Sequence, residues 1–165
     1  MHYFFFDASA LAKRYHHEPG SDVTNYLLDA LLGSAPERVI ISPLILCEPI
    51  SVLSREHNSG RIQVDLFQKA TARVLLEARA MNQQFIDNET ILHSIPLISR
   101  HNLNASDALF LYQALNLHDL LQTMEQDLAL VASDRRLLRA AEDEGLLTLN
   151  PEETTRADAE ALLRM

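Results

Sequence analysis

The sequence predicts an α/β fold, one domain over residues 1–165, with a mainly parallel central sheet covered by helices on both faces. Three observations carry that prediction. Short apolar runs stand at 2–6, 39–41, 128–132 and 146–149. Segments with helical apolar spacing fill the intervals between them. The first run, HYFFF, carries four aromatic residues in a row without alternation, as suits a strand buried on both sides, and it stops at a carboxylate, Asp7.

The elements follow in order. His2 to Phe6 reads as the first strand. Ser9 is the expected cap of a short helix through about His16. Glu18-Pro19-Gly20-Ser21 is a turn, with Ser21 as N-cap of a helix carrying Val23, Tyr26, Leu27, Ala30 and Leu31. Val39 to Ile41 is the second strand. Ser42-Pro43 starts a helix to about His57, a cap followed by proline at the first helical position. Asn58-Ser59-Gly60 breaks it. A long amphipathic helix follows, with Leu66, Phe67, Ala70, Val74, Leu75 and Ala78 on one stripe that the spacing assigns to the core. A brief strand is expected within 83–87. Ile91, Leu92, Ile95 and Ile98 mark a helix that Pro96 should kink or interrupt. Asn104 caps a helix carrying Ala108, Leu111, Tyr112 and Leu115, which 117–124 either extends or follows with an extra turn. Leu128 to Ala132 is a strand, Arg135 to Glu144 a helix closed by Gly145, and Leu146 to Leu149 the last strand. Pro151 and two glutamates open a final helix.

Composition narrows the class. At 47% apolar and 22% charged, the chain is globular, not disordered. No stretch reaches the ~18 to 20 apolar residues of a membrane span. The N-terminal residues lack the pattern of a secretion signal. A lone cysteine, Cys47, cannot form an internal disulfide, so a reducing, cytoplasmic setting is expected. A formal charge of −9 argues against a general nucleic-acid binder but suits a hard-cation site.

Ligand crevices in such sheets lie at the carboxyl ends of the strands. Asp7 and Asp134 both end strands and so belong to one edge. Glu48 and Asp107 reach that edge if their helices begin there. Each acid also has a plain reading: Asp134 as a helix cap, Asp107 as a first-turn acid reaching back to Asn104, Glu48 as a solvated helix residue. Pro49 leaves the aim of Glu48 open. Four like charges that meet must take up protons or a cation, and an all-oxygen set favours Mg²⁺ or Mn²⁺, ions suited to phosphoryl chemistry. The seven histidines form no ligand set by spacing, and Cys47, flanked by apolar residues, reads as core.

FFFDASALAKRY, ISPLILCEPISVLSRE, NASDALFLYQAL and LVASDRRLLRAAEDEGLLTLNPE together resemble the PIN-domain family of metal-dependent ribonucleases, whose bacterial members include VapC-type toxins. The resemblance implies a three-layer α/β/α sandwich. It implies that Asp7, Glu48, Asp107 and Asp134 are the catalytic, metal-binding acids of a Mg²⁺- or Mn²⁺-dependent endoribonuclease. Ser9 and Ser133 match hydroxyl positions that support such a site, with helix-cap and turn roles as their plain readings. Lys13, Arg14, Arg135 and Arg136 are candidate contacts to RNA phosphates, Lys13 first among them, against the reading as solvated helix faces. The resemblance further implies an RNA substrate, an antitoxin protein as partner and a homodimer. A housekeeping PIN ribonuclease and a non-catalytic PIN-like binding module are the alternatives. A dehalogenase-like phosphatase needs a second aspartate where this chain has Ser9.

Overall fold

The computed structural model describes residues 1–164 and forms a five-stranded parallel sheet in the order β3-β2-β1-β4-β5. The strands are β1 His2–Phe6, β2 Val39–Ile41, β3 Asn82–Gln83, β4 Asp127–Val131 and β5 Leu147–Leu149. The helices are α1 Ala8–Leu11, α2 Ser21–Ser34, α3 Cys47–Asn58, α4 Val64–Ala80, α5 Asn88–His101, α6 Ala105–Gln122, α7 Arg135–Asp143 and α8 Arg156–Arg164.

β1 is central. Phe6 pairs in register with Ile41 on one side and Val131 on the other. Phe4, Phe5 and Phe6 are fully buried although successive strand residues face opposite ways, so both faces of the sheet are covered. Phe5 stacks on Phe110 of α6, with ring centroids 4.3 Å apart. Each buried phenylalanine contributes about 1.5–3 kcal/mol relative to exposure. From β1 the chain moves outward through β2 and β3, then crosses back to add β4 on the opposite side. The carboxyl ends of β1 and β4 therefore form a topological switch point.

Several local expectations are corrected. Asp7, not Ser9, caps α1, and the helix tightens into a 3₁₀ turn over Ala12–Arg14. Gly20, not Ser21, precedes α2 as its cap residue; the Ser21 hydroxyl instead accepts from the Glu18 N–H. Pro43–Leu46 is a 3₁₀ turn and α3 begins only at Cys47, which puts Pro49 in a first turn that needs no N–H from it. Pro96 does not interrupt α5; the carbonyl it deprives belongs to Leu92, an exposed residue. The brief strand spans 82–83, beginning one residue before the expected window and overlapping it at Gln83. α6 runs through 117–122 without a break. Pro151 lies in a turn, and α8 starts after Thr155, whose hydroxyl and Asp158 bond reciprocally. The α4 stripe is only partly core: Val74 and Ala78 are buried, while Leu66 and Leu75 are exposed. Cys47 is exposed, because α3 turns that residue outward at its first position. No helix of the described residues is long and apolar enough to cross a membrane.

Gly20 adopts φ +84°, and a Cβ there would meet the Pro151 carbonyl carbon at 2.8 Å. Both the left-handed backbone and the contact exclude a side chain. Gly20→Ala is expected to lower the unfolding free energy by about 2 kcal/mol or more, read as a lower urea midpoint at unchanged slope.

Candidate active site

The four predicted acids come from four different elements. Asp7 follows β1 directly, and its backbone N–H donates to the Val131 carbonyl at 2.9 Å, prolonging the β1–β4 pairing by one bond. Its Oδ2 accepts from the Ser9 N–H at 3.0 Å and from the Ser9 hydroxyl at 2.6 Å. The Ser9 hydroxyl in turn accepts from the Ser133 N–H at 2.9 Å. Ser9 thus ties the first acid to the turn that carries the last. Asp134 caps α7, with Oδ1 accepting from the Arg136 N–H at 2.7 Å and the Leu137 N–H at 3.4 Å. Asp107 stands three residues after the α6 cap. Its N–H donates to Asn104 Oδ1 at 2.8 Å and its Oδ2 accepts from Asn104 Nδ2 at 2.7 Å, a reciprocal pair that fixes the side chain at the helix start. Glu48 lies in the first turn of α3. The capping readings of Asp134 and Asp107 are thus realised in the geometry, and capping is what aims both carboxylates at the sheet edge.

The four share one electrostatic field. Burial raises the Asp7 carboxyl above the ordinary aspartate range, the Ser9 hydrogen bonds pull it back, and the charge of Asp134 raises it further. Glu48 is exposed as a residue, yet partial desolvation of its carboxyl and then the charge of Asp7 push it up, against Arg55. Asp107 is pushed up to about 6, first by desolvation, then by Asp7 and Asp134, with Glu48 adding and Arg136 opposing. Asp107 therefore senses all three other acids. Asp7, Glu48 and Asp107 also line one crevice together with Ser42, Ile45, Phe110 and Gln113.

Hard oxygen donors in mutual repulsion fit a divalent cation by their chemistry. Among the described residues, however, no group of three or more histidine, cysteine, aspartate or glutamate side chains is placed to hold one ion. The acids share a field rather than a closed coordination shell.

The basic candidates divide. Lys13 is buried, with Nζ 2.7 Å from Glu152 and 3.5 Å from Glu18. Arg14 bonds Glu77, Asp29 and Asn25 at 3.0, 2.7 and 2.9 Å. The 3₁₀ turn after α1 rotates both inward, so neither is presented to a phosphate. Arg135 is exposed but paired with Glu153 at 2.8 Å. Arg136 is exposed and exerts its charge on Asp107, which leaves it the best placed of the four. Sequence reading passed over Ser42 and Gln113. Ser42 read as a helix cap but makes no capping bond. Gln113 had a legible signal, a lone amide within the apolar run ALFLYQAL.

The family model described as PIN domain matches residues 4–143, a span that holds all four acids. This chain belongs to the PIN-domain family. PIN domains are generally nucleases that use divalent metals. PAE2754 from Pyrobaculum aerophilum superposes on this PIN domain with a TM-score of 0.59 at 19% identity, over 96% of each chain. A toxin-antitoxin complex from Klebsiella pneumoniae contains a chain that superposes with a TM-score of 0.57 at 16% identity, over 91% of this chain and 98% of that one. At such identities the likeness shows the fold alone. No curated protein matches by sequence.

The raised carboxyl of Asp107 fixes a sign. A group whose folded pKa lies above its unfolded value binds more protons in the native state, so stability falls as pH rises from about 4 through about 6. Asp107→Asn keeps the reciprocal bond to Asn104 and removes the charge. Its melting temperature should exceed that of wild type by about 2–5 °C at pH 7.5, a gap that closes near pH 4.

Proposed function

We propose that this PIN domain is a divalent-metal-dependent endoribonuclease whose acids are Asp7, Glu48, Asp107 and Asp134. One observation supports the reading: Asp107, which lines one crevice with Asp7 and Glu48, is pushed up to about 6, first by desolvation and then by the charges of Asp7 and Asp134, with Glu48 adding. Such a field is relieved by protons or by Mg²⁺ or Mn²⁺. The bound ion would polarise the phosphate and lower the pKa of an attacking water. The rest falls to the chain. Asp7 is held by Ser9 and cannot swing away. Asp134 and Asp107 are clamped by the N–H groups and the asparagine at their helix starts. Arg136, beside Asp107, offers a positive charge to the phosphate where the net charge is otherwise negative. No side-chain nucleophile is required.

The similarity to a chain of a toxin-antitoxin complex, and the exposed Ile91, Leu92 and Ile95 of α5, favour a toxin that pairs with an antitoxin and with a second copy of itself.

The deciding experiment joins binding to activity. Mg²⁺ or Mn²⁺ should raise the melting temperature of wild type, more strongly at pH 7.5 than at pH 5, as Asp107 gives up its proton. The response should be strongly reduced in Asp107→Asn. RNA hydrolysis should fall at least about 10²-fold in Asp7→Asn with its circular dichroism unchanged. Equal metal responses in wild type and Asp107→Asn would remove the proposed site.

A further inference from the structure

Beside the acids lies a recess that the cleavage reading leaves unused. The crevice lined by Asp7, Glu48 and Asp107 continues inward between Ile45, Ile86 and Phe110 to two polar side chains, Ser42 and Gln113. Both are nine-tenths or more buried, at 1% and 7% exposure. The Ser42 hydroxyl and the Gln113 carbonyl oxygen have no hydrogen-bond partner among the described residues, although every such buried atom carries a desolvation cost unless something bonds it.

Placement and chemistry are both fixed. Ser42 follows β2 at the level where Asp7 follows β1, because Ile41 pairs with Phe6. Gln113 lies on α6 two steps of three residues beyond Asp107, through Phe110, roughly 9 Å of helical rise. Its amide cannot be flipped without loss: Nε2 donates to the carbonyls of Gln84 at 2.9 Å and Phe85 at 3.3 Å. The oxygen is thereby left as an acceptor that needs a donor, N–H or O–H. The space is about 60 Å³. That is room for a few waters or for the edge of a heteroaromatic ring, but not for the whole ring.

We propose that this recess is a subsite for one edge of a nucleobase, with Gln113 accepting from a ring or exocyclic N–H and Ser42 completing the pair. Ile45, Ile86 and Phe110 supply apolar surface for a base face, and the acids on the same crevice stand where the attached phosphate would lie. Gln113 and Ser42 are then specificity-determining residues of the endoribonuclease proposed above, on which this inference rests.

The test uses nucleosides, which have no phosphate and need no metal. Adenosine, guanosine, cytidine and uridine are titrated in turn into the ¹⁵N-labelled full chain, following the Gln113 side-chain amide signals and the Ser42 backbone amide. At least one nucleoside should shift both saturably. Gln113→Met should weaken it more than tenfold. Ser42→Ala, which removes a hydroxyl that bonds nothing and so endangers no fold, should weaken it about three- to tenfold. With RNA, the same two variants should lose preference for that base beside the cut while the position of cutting relative to other bases relaxes. No saturable shift with any nucleoside, or equal affinity in Ser42→Ala and wild type, would overturn the subsite and leave buried water as the partner of both atoms. Saturable, Ser42-dependent binding without RNA cleavage would instead remove the nuclease reading and keep the recess as a nucleoside site.

Discussion

The Ser133 N–H bonds the Ser9 hydroxyl, and that hydroxyl bonds Asp7, joining segments 124 residues apart in sequence at the edge of the sheet. The rest of the site is arranged around this relay. It can form only because β1 and β4 are neighbours and because the Asp7 N–H continues their pairing onto the Val131 carbonyl. A side chain in such a relay cannot relax away from its neighbours, so the repulsion among the acids persists as a raised proton affinity. A field of this kind is relieved by protons or by a cation.

The acidic net charge becomes intelligible in the same terms. Most positive charge near the first acid is spent internally. Lys13 and Arg14 secure the 3₁₀ turn after α1 to the segment after β5, to α2 and to α4, through Glu152, Asp29 and Glu77. Glu77 is held below the ordinary glutamate range by Arg14 and Arg73 despite its burial, and the neighbouring Tyr15 hydroxyl is pushed well above the ordinary tyrosine range by burial and by that same carboxylate. These are scaffold contacts. Arg136, on the helix that the last acid caps, is exposed and acts on Asp107 instead.

What the sequence made legible was the part set by local chemistry. The unbroken aromatic run marked β1, and the acids at strand ends and helix starts were visible because caps and switch points use the same residues. Less legible were features that depend on what lies across the fold. Lys13 reads as a free cation until the Glu152 carboxylate, 139 residues away, is placed against it. Pro96 reads as a break because sequence alone does not show that the carbonyl it deprives lies on an exposed stretch. Cys47 reads as core by its neighbours, although the late start of α3 turns it outward. The inner end of the crevice was missed for a related reason: Gln113 sits in an apolar helix and looks like an exception, and only its two carbonyl partners give it an orientation.

The segment after β5 is fastened at several points, three of them to the first forty residues. The Pro151 backbone fits against a bare Gly20, Glu152 holds Lys13, and the Leu163 carbonyl is within 3.4 Å of the Arg38 guanidinium. One of these ties enters the same short turn that begins at Asp7. The tail and the acid edge should accordingly open and close as one cooperative unit. A protease that clips after residue 150, or a bulky fusion that pulls that stretch outward, would be felt at the mouth of the crevice without touching any of its acids.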